Sequence, residues 1–246
     1  MNTLEIIGQR LKQAREATGY TPEEVSQKLG ITKDELFLFE GGRQNPPLSL
    51  LRKLAKLYGV FVSYFYGIDK PEGNAFTLLL DKAKELSLPP ETISQLQRFI
   101  FLCKEILKLR QKLGIPEPEI PYYIDSQENL GELLEDMGIP VIRMPLGKEL
   151  SSAMVYDKSL GAFILVNSDC PDPNQLIAHE YACVLQGEKV HLNAKDCPKA
   201  TQSKSLQPVS KVLWELVLTA VKHELISISY ASDVLEISPI EIEEFL

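Results

Sequence analysis

The twenty residues Thr21–Glu40, TPEEVSQKLGITKDELFLFE, hold two helix starts separated by one short turn, and they decide the fold of the first part of the chain. Thr21-Pro22-Glu23-Glu24 offers a capping hydroxyl, a proline where its missing N–H costs nothing, and a glutamate able to close a capping box. Thr32-Lys33-Asp34-Glu35 repeats the box without the proline. The first helix turns Val25 and Leu29 inward and stops at Gly30, and the second turns in Leu36 and Phe39. Upstream, Glu5–Glu16 carries Ile7, Leu11 and Ala14 at helical spacing and ends at Gly19-Tyr20. Downstream, Pro46 and Pro47 block further helix until Leu48–Tyr58, which presents Leu51, Leu54 and Ala55 for packing.

Two short capped helices joined by a tight turn and flanked by packing helices are what a helix-turn-helix requires. The expected first domain is therefore all-α and covers residues 1–68. From Arg10 to Val60, about a quarter of the chain, the sequence resembles the Xre/Cro/C1-type repressors. Their Glu-x-Gly-x-x-x-Pro signature stands here as Glu40-Gly41-Gly42-Arg43-Gln44-Asn45-Pro46. The resemblance implies that the third helix enters the major groove and reads bases with Lys33, Asp34, Phe37 and Leu38. It also makes Arg10, Arg15, Lys33 and Arg43 the candidates for holding phosphates. Two departures stand out: Pro22 replaces a common glutamine, and the reading face carries Asp34, Phe37 and Leu38 where relatives are polar or basic. Phe37 and Leu38 suit thymine methyls or another protein surface, and the alternative for Phe37 is packing against the connector helix.

Composition fits this reading. The chain has 246 residues, 44% hydrophobic and 24% charged, with net charge −8, which argues against coating nucleic acid by bulk electrostatics. Residues 1–66 nevertheless hold nine Lys/Arg against seven Asp/Glu, net +2, leaving −10 for the remainder. No basic stretch leads into an apolar run at the start, and Gly161–Val166 is far shorter than the roughly 20 residues that span a bilayer. A cytoplasmic protein without a membrane partner is expected, with Cys103, Cys170, Cys183 and Cys197 as free thiols or ligands.

Residues 69–124 form an expected helical connector. Pro71-Glu72-Gly73-Asn74 and Leu88-Pro89-Pro90-Glu91 mark breaks, with helices over 75–86 and 91–113. Ile93, Leu96, Ile100, Cys103 and Leu107 make an apolar stripe suited to the next domain or a second subunit.

Residues 125–246 read as an α+β domain. A helix over 127–137 precedes strands over 139–144, 152–156 and 162–166, the last two joined as a hairpin. A helix over 175–185 then carries His179-Glu180-Tyr181-Ala182-Cys183. The segments NLGELLEDMGIPVIRMPLG, AFILVNSD and NQLIAHEYACVL resemble the ImmA/IrrE family of zinc peptidases, often fused to an Xre-type domain. That resemblance implies a zincin-like fold in which His179 is the first ligand and Glu180 the general base. Cys183 takes the second histidine's place and Glu215 is the candidate third ligand. A different set, His179, Cys183, His191 and Cys197, has the donor types of a closed structural zinc centre. Loss of the catalytic metal is the leading expectation, so no cofactor is expected, with zinc the alternative. The ending ISISYASDVLEISPIEIEEFL reads as short capped helices for packing or partner contact.

The leading expectation is thus a DNA-binding transcriptional regulator on a double-stranded operator, as a homodimer, with an inactive peptidase-like domain that senses or dimerises. Its rivals are a zinc metallopeptidase that cleaves a partner repressor, and an antitoxin-like module that binds a protein partner.

Overall fold

A computed structural model describes residues 3–67, 74–121, 129–194 and 209–246. The chain forms two compact units, Met1–Gly73 with Ser87–Phe101, and Asn74–Leu86 with Leu102–Leu246.

The first unit contains α1 (Thr3–Thr18), α2 (Pro22–Leu29), α3 (Lys33–Glu40), α4 (Leu48–Tyr58) and the short α5 (Val62–Phe65). Both expected capping boxes are present. Thr21 and Thr32 accept from the amides of Glu24 and Glu35, whose carboxylates accept in return from the cap backbones. Gly30 closes α2 at φ 68°, in the left-handed region that glycine tolerates. Ile7, Leu11, Ala14, Val25, Leu36, Phe39, Leu51, Leu54 and Tyr58 form the core, with Phe65 from the unforeseen α5.

Two tertiary features draw α3 onto α1. A Cβ on Gly8 would lie 2.6 Å from the Gly42 amide nitrogen and 2.7 Å from the Phe39 and Glu40 carbonyl oxygens. Only a residue without a side chain lets the α1 backbone come so near. The second feature is a buried ion pair. Arg15 Nε donates to Glu40 Oε1 at 2.6 Å, Nη2 to Oε2 at 3.0 Å, and Nη1 to the Tyr20 carbonyl at 3.1 Å.

The second unit is built on a four-stranded sheet with order β1-β3-β2-β4. The strands are β1 (Val141–Met144), β2 (Ser152–Asp157), β3 (Gly161–Asn167) and β4 (Val190–Asn193). β1 runs parallel to β3, whereas β2 is antiparallel to both β3 and β4. The expected hairpin is β2–β3; β4 was not foreseen. Its helices are α6 (Asn74–Glu85), α8 (Leu130–Asp136), α9 (Pro173–Leu185), α10 (Lys211–Lys222), α11 (Ile228–Leu235) and α12 (Pro239–Glu243). The long α7 (Pro90–Leu113) begins in the first unit and ends in the second. The expected start of α8 at Gln127 and the break at Pro71 lie outside the described residues.

Every residue of β3 is buried, because both faces of the sheet are covered. Strand alternation sends Met154, Ala162, Ile164 and Val166 toward Ile177, Tyr181 and Val184 of α9. On the other face Phe163 meets Phe76 of α6, ring centroids 6.4 Å apart. Four of the five stripe residues of α7, Ile93, Leu96, Ile100 and Cys103, are buried within the chain. Burial pushes the Cys103 thiol well above its ordinary range, as expected of a small hydrophobe. Cys170 is disulfide-bonded, contrary to the expectation of a free thiol or a ligand. Among the described residues no helix is long and apolar enough to cross a membrane.

Candidate functional site

The outward face of α3 follows from its helical period. With Leu36 and Phe39 fixed in the core, Lys33, Asp34, Phe37 and Leu38 are left exposed. Phe37 is 52% and Leu38 37% exposed, so Phe37 is not buried against the connector helix. Lys33 Nζ donates to Glu23 of α2, and that contact lowers the Glu23 pKa. Glu35 is held below the usual carboxylate range by the Thr32 amide, so its charge belongs to the helix cap. Arg43 is exposed just beyond α3. Arg10 is half-buried, its guanidinium 4.9 Å from the centre of the Tyr64 ring.

Arg15 does not fit the expected role. It is only 8% exposed, and Glu40 and the Tyr20 carbonyl take its Nε, Nη1 and Nη2. A phosphate could reach it only by breaking a buried, bidentate pair, so Arg15 is a structural residue. The sequence contained the missing half of that pair in the signature's own Glu40.

The second constellation lies in the sheet unit. Asp172 caps α9 by accepting from the Gln175 amide, and Pro173 fills the first turn. Four residues apart on this helix, His179 and Cys183 share one face. β4 brings His191 beside them, and single ligand atoms from the three all lie within 4.8 Å of one another. The His179 and His191 rings meet edge to face, centroids 5.0 Å apart. This His/Cys/His set, with soft sulfur and imidazole nitrogen, is capable of coordinating a metal ion such as zinc. Burial raises the Cys183 thiol to about 11, with Glu188 and Glu180 adding to the shift. Without a cation that thiol stays protonated near neutrality.

Glu180 faces elsewhere. It is 0% exposed, its Oε1 accepts from Ser152 Oγ at 2.6 Å, and its Oε2 lies 2.9 Å from His191 Nδ1. Asn193 Nδ2 in turn donates to Ser152 Oγ at 3.3 Å. Strand register explains the assembly. Ser152 pairs with Asn193 and Met154 with His191, and the period of two points all four toward α9. Ser152 and Asn193 carried no signal in the sequence, since neither strand's register is visible there. Glu215 is exposed on α10 and is not part of the cluster. Cys197 lies outside the described residues.

Residues 6–61 match the family described as Helix-turn-helix domain. Over 76 residues the chain is 38% identical to the HTH-type transcriptional regulator ImmR of Bacillus subtilis, which covers 31% of this chain and 60% of the relative. It is 42% identical over 65 residues to the uncharacterized HTH-type transcriptional regulator YobD of the same organism, 26% of this chain and 58% of the relative. A shorter archaeal relative, the uncharacterized HTH-type transcriptional regulator MJ0272 of Methanocaldococcus jannaschii, is 35% identical over 51 residues, 21% of this chain and 77% of its own length. The chain spans 55–60% of the length of the first three bacterial relatives it matches. No solved structure matches the chain. The C-terminal unit, with its α+β fold and His/Cys/His triad, is consistent with a degenerate metallopeptidase-like domain. Through its N-terminal unit the chain belongs to the helix-turn-helix family of HTH-type transcriptional regulators.

Proposed function

We propose that this chain is a cytoplasmic transcriptional regulator that docks α3 in the major groove of an operator, while its peptidase-like unit senses a signal or holds two copies together. The observation that carries the reading is the division of α3 into a buried, capped side and an exposed face of Lys33, Asp34, Phe37 and Leu38. Such a face is what a recognition helix needs. The regulators named above support it. Lys33, Arg43 and the partly exposed Arg10 take the phosphate-holding role, and Arg15 leaves that set. Phe37 and Leu38 are matched to thymine methyls, and Asp34 to the amino group of cytosine. Two heads on one dimer require half-sites about 34 Å apart or a multiple of that spacing.

The test is a titration of the purified full chain against DNA from its own promoter region and against scrambled duplex of equal length. Tighter binding to the promoter is expected. Phe37→Ala should then weaken specific binding by about 1–3 kcal/mol without lowering the melting temperature. Equal affinity for both duplexes would sink the operator reading. Loss of a protein complex on Phe37→Ala, with DNA binding untouched, would favour an antitoxin-like module instead.

A further inference from the structure

We infer that His179, Cys183 and His191 hold one zinc ion and that Glu180, instead of activating water, positions His191 for it. The inference does not rest on the DNA-binding reading, and concerns the sheet unit alone.

Glu180 is held away from solvent. A general base must reach the water it deprotonates, yet this carboxylate is fully buried and each of its oxygens already has a protein partner. The partner that matters is His191. Facing a carboxylate, its Nδ1 carries the proton and donates, which leaves the lone pair on Nε2. A carboxylate bonded to the far nitrogen of a histidine is the usual way proteins fix the tautomer and ring angle of a metal ligand. Ser152 and Asn193 extend the same support from β2 and β4. The glutamate that neighbours the first ligand in sequence thus serves the third ligand in space.

The donor set fits zinc. Two imidazoles and one thiolate are borderline-soft ligands, better matched to zinc than to magnesium or calcium. His179 and Cys183 come from one turn of α9, and His191 comes from the edge strand β4. An ion there ties helix to strand. The exposed side of the site, at His179, leaves a fourth position for water or another ligand. With Glu180 turned into the protein, the carboxylate next to the first ligand does not pull a proton from that water, so the ion acts as a clip and not as a hydrolytic centre.

The experiment uses the full chain, stripped with a chelator and titrated with zinc against a chromophoric competitor. Cobalt(II) serves as a spectroscopic stand-in. One equivalent of zinc is expected, and the sulfur-to-cobalt absorption band should vanish in Cys183→Ser. Glu180→Gln should keep that band while weakening zinc binding about 10- to 100-fold, the usual effect of losing an outer-shell partner. Ser152→Ala removes only one of the bonds to Glu180 and should shift affinity in the same direction by less. It decides the matter if the circular dichroism of Glu180→Gln shows misfolding. Failure of the wild-type chain to take up zinc would overturn the site. Unchanged zinc affinity in a folded Glu180→Gln, or in Ser152→Ala where the first misfolds, would overturn the positioning role. So would zinc-dependent peptide hydrolysis by the wild type that disappears in Glu180→Gln with the metal still bound.

Discussion

Replacing Arg15 with alanine should damage the first unit's stability and spare its contact with DNA, the reverse of what an arginine on a helix-turn-helix suggests. The side chains of Arg15 and Glu40 are 10% and 5% exposed. The Arg15→Ala variant leaves the Glu40 carboxylate buried without its cation, and removing one partner of a buried pair costs about 3–5 kcal/mol. For a unit of this size each kcal/mol moves the midpoint by about 4–8 °C. A fall of at least about 12 °C in the unfolding of the first unit is therefore expected, read by circular dichroism or by amide exchange in α1 and α3. The double variant Arg15→Met, Glu40→Leu should recover most of that loss, because an apolar pair of similar volume is often as stable as the ion pair it replaces. Titrations held well below the lowered midpoint should show an unchanged salt dependence. Arg43→Ala should behave in the opposite way, with an unchanged midpoint and a salt slope smaller by about 0.9. An Arg15→Ala chain that melts like wild type but loses salt-dependent binding would refute the assignment.

Further expectations concern the same unit. Gly8→Ala raises helix propensity, yet its methyl collides with the backbone of Phe39, Glu40 and Gly42; a loss of about 1–3 kcal/mol in a denaturant melt is expected, and a gain would disprove the contact. Thr32→Ala removes the α3 cap at a cost of about 1 kcal/mol. Because Glu35 titrates below its ordinary 4.5 in the folded chain, the box stabilises above that pH and is lost as pH falls through the lowered value. The variant should accordingly flatten the acid limb of stability against pH. Tyr20 is raised to about 12 by burial, with Glu91 and Glu24 adding to the shift. Its contribution is complete below its ordinary 10 and disappears between about 10 and 12, so Tyr20→Phe should reduce the alkaline loss of stability seen in melts across that range.

What the sequence made legible was local. A capping box spans four residues, so Thr21 with Glu24 and Thr32 with Glu35 could be read directly, and they fixed which sides of α2 and α3 face inward. Arg15 could not be placed in this way, because its partner sits 25 residues away. On a sequence line an arginine aimed at Glu40 and one aimed at phosphate look alike. β4 is not legible in the sequence for a related reason. Val190–Asn193 is four residues long, with two of them half-buried, too short for alternation to show. Missing that strand hid the fate of Glu180. His179, Cys183 and His191 were recognisable as donors by type, but the register that sets Ser152 and His191 on either side of the carboxylate exists only once β2 and β4 pair. Glu215 illustrates the converse: a plausible donor in a plausible helix that the fold leaves on the outside.

Helix α3 keeps two ledgers apart. Leu36, Phe39 and Glu40 attach it to the unit and Thr32 with Glu35 caps it, while Asp34, Phe37 and Leu38 are exposed and Lys33 reaches back through an exposed ion pair with Glu23 of α2, a contact of the kind worth little to stability. The four outward positions are therefore free to drift or to be randomised together without disturbing the anchor. If α3 reads DNA as proposed, descendants of such a chain can acquire new target sequences by substitutions that leave their thermal stability almost unchanged, and paralogues sharing one scaffold can part company in specificity long before they diverge in fold. A selection library confined to residues 33, 34, 37 and 38 should on this basis return many folded proteins, each with its own preference.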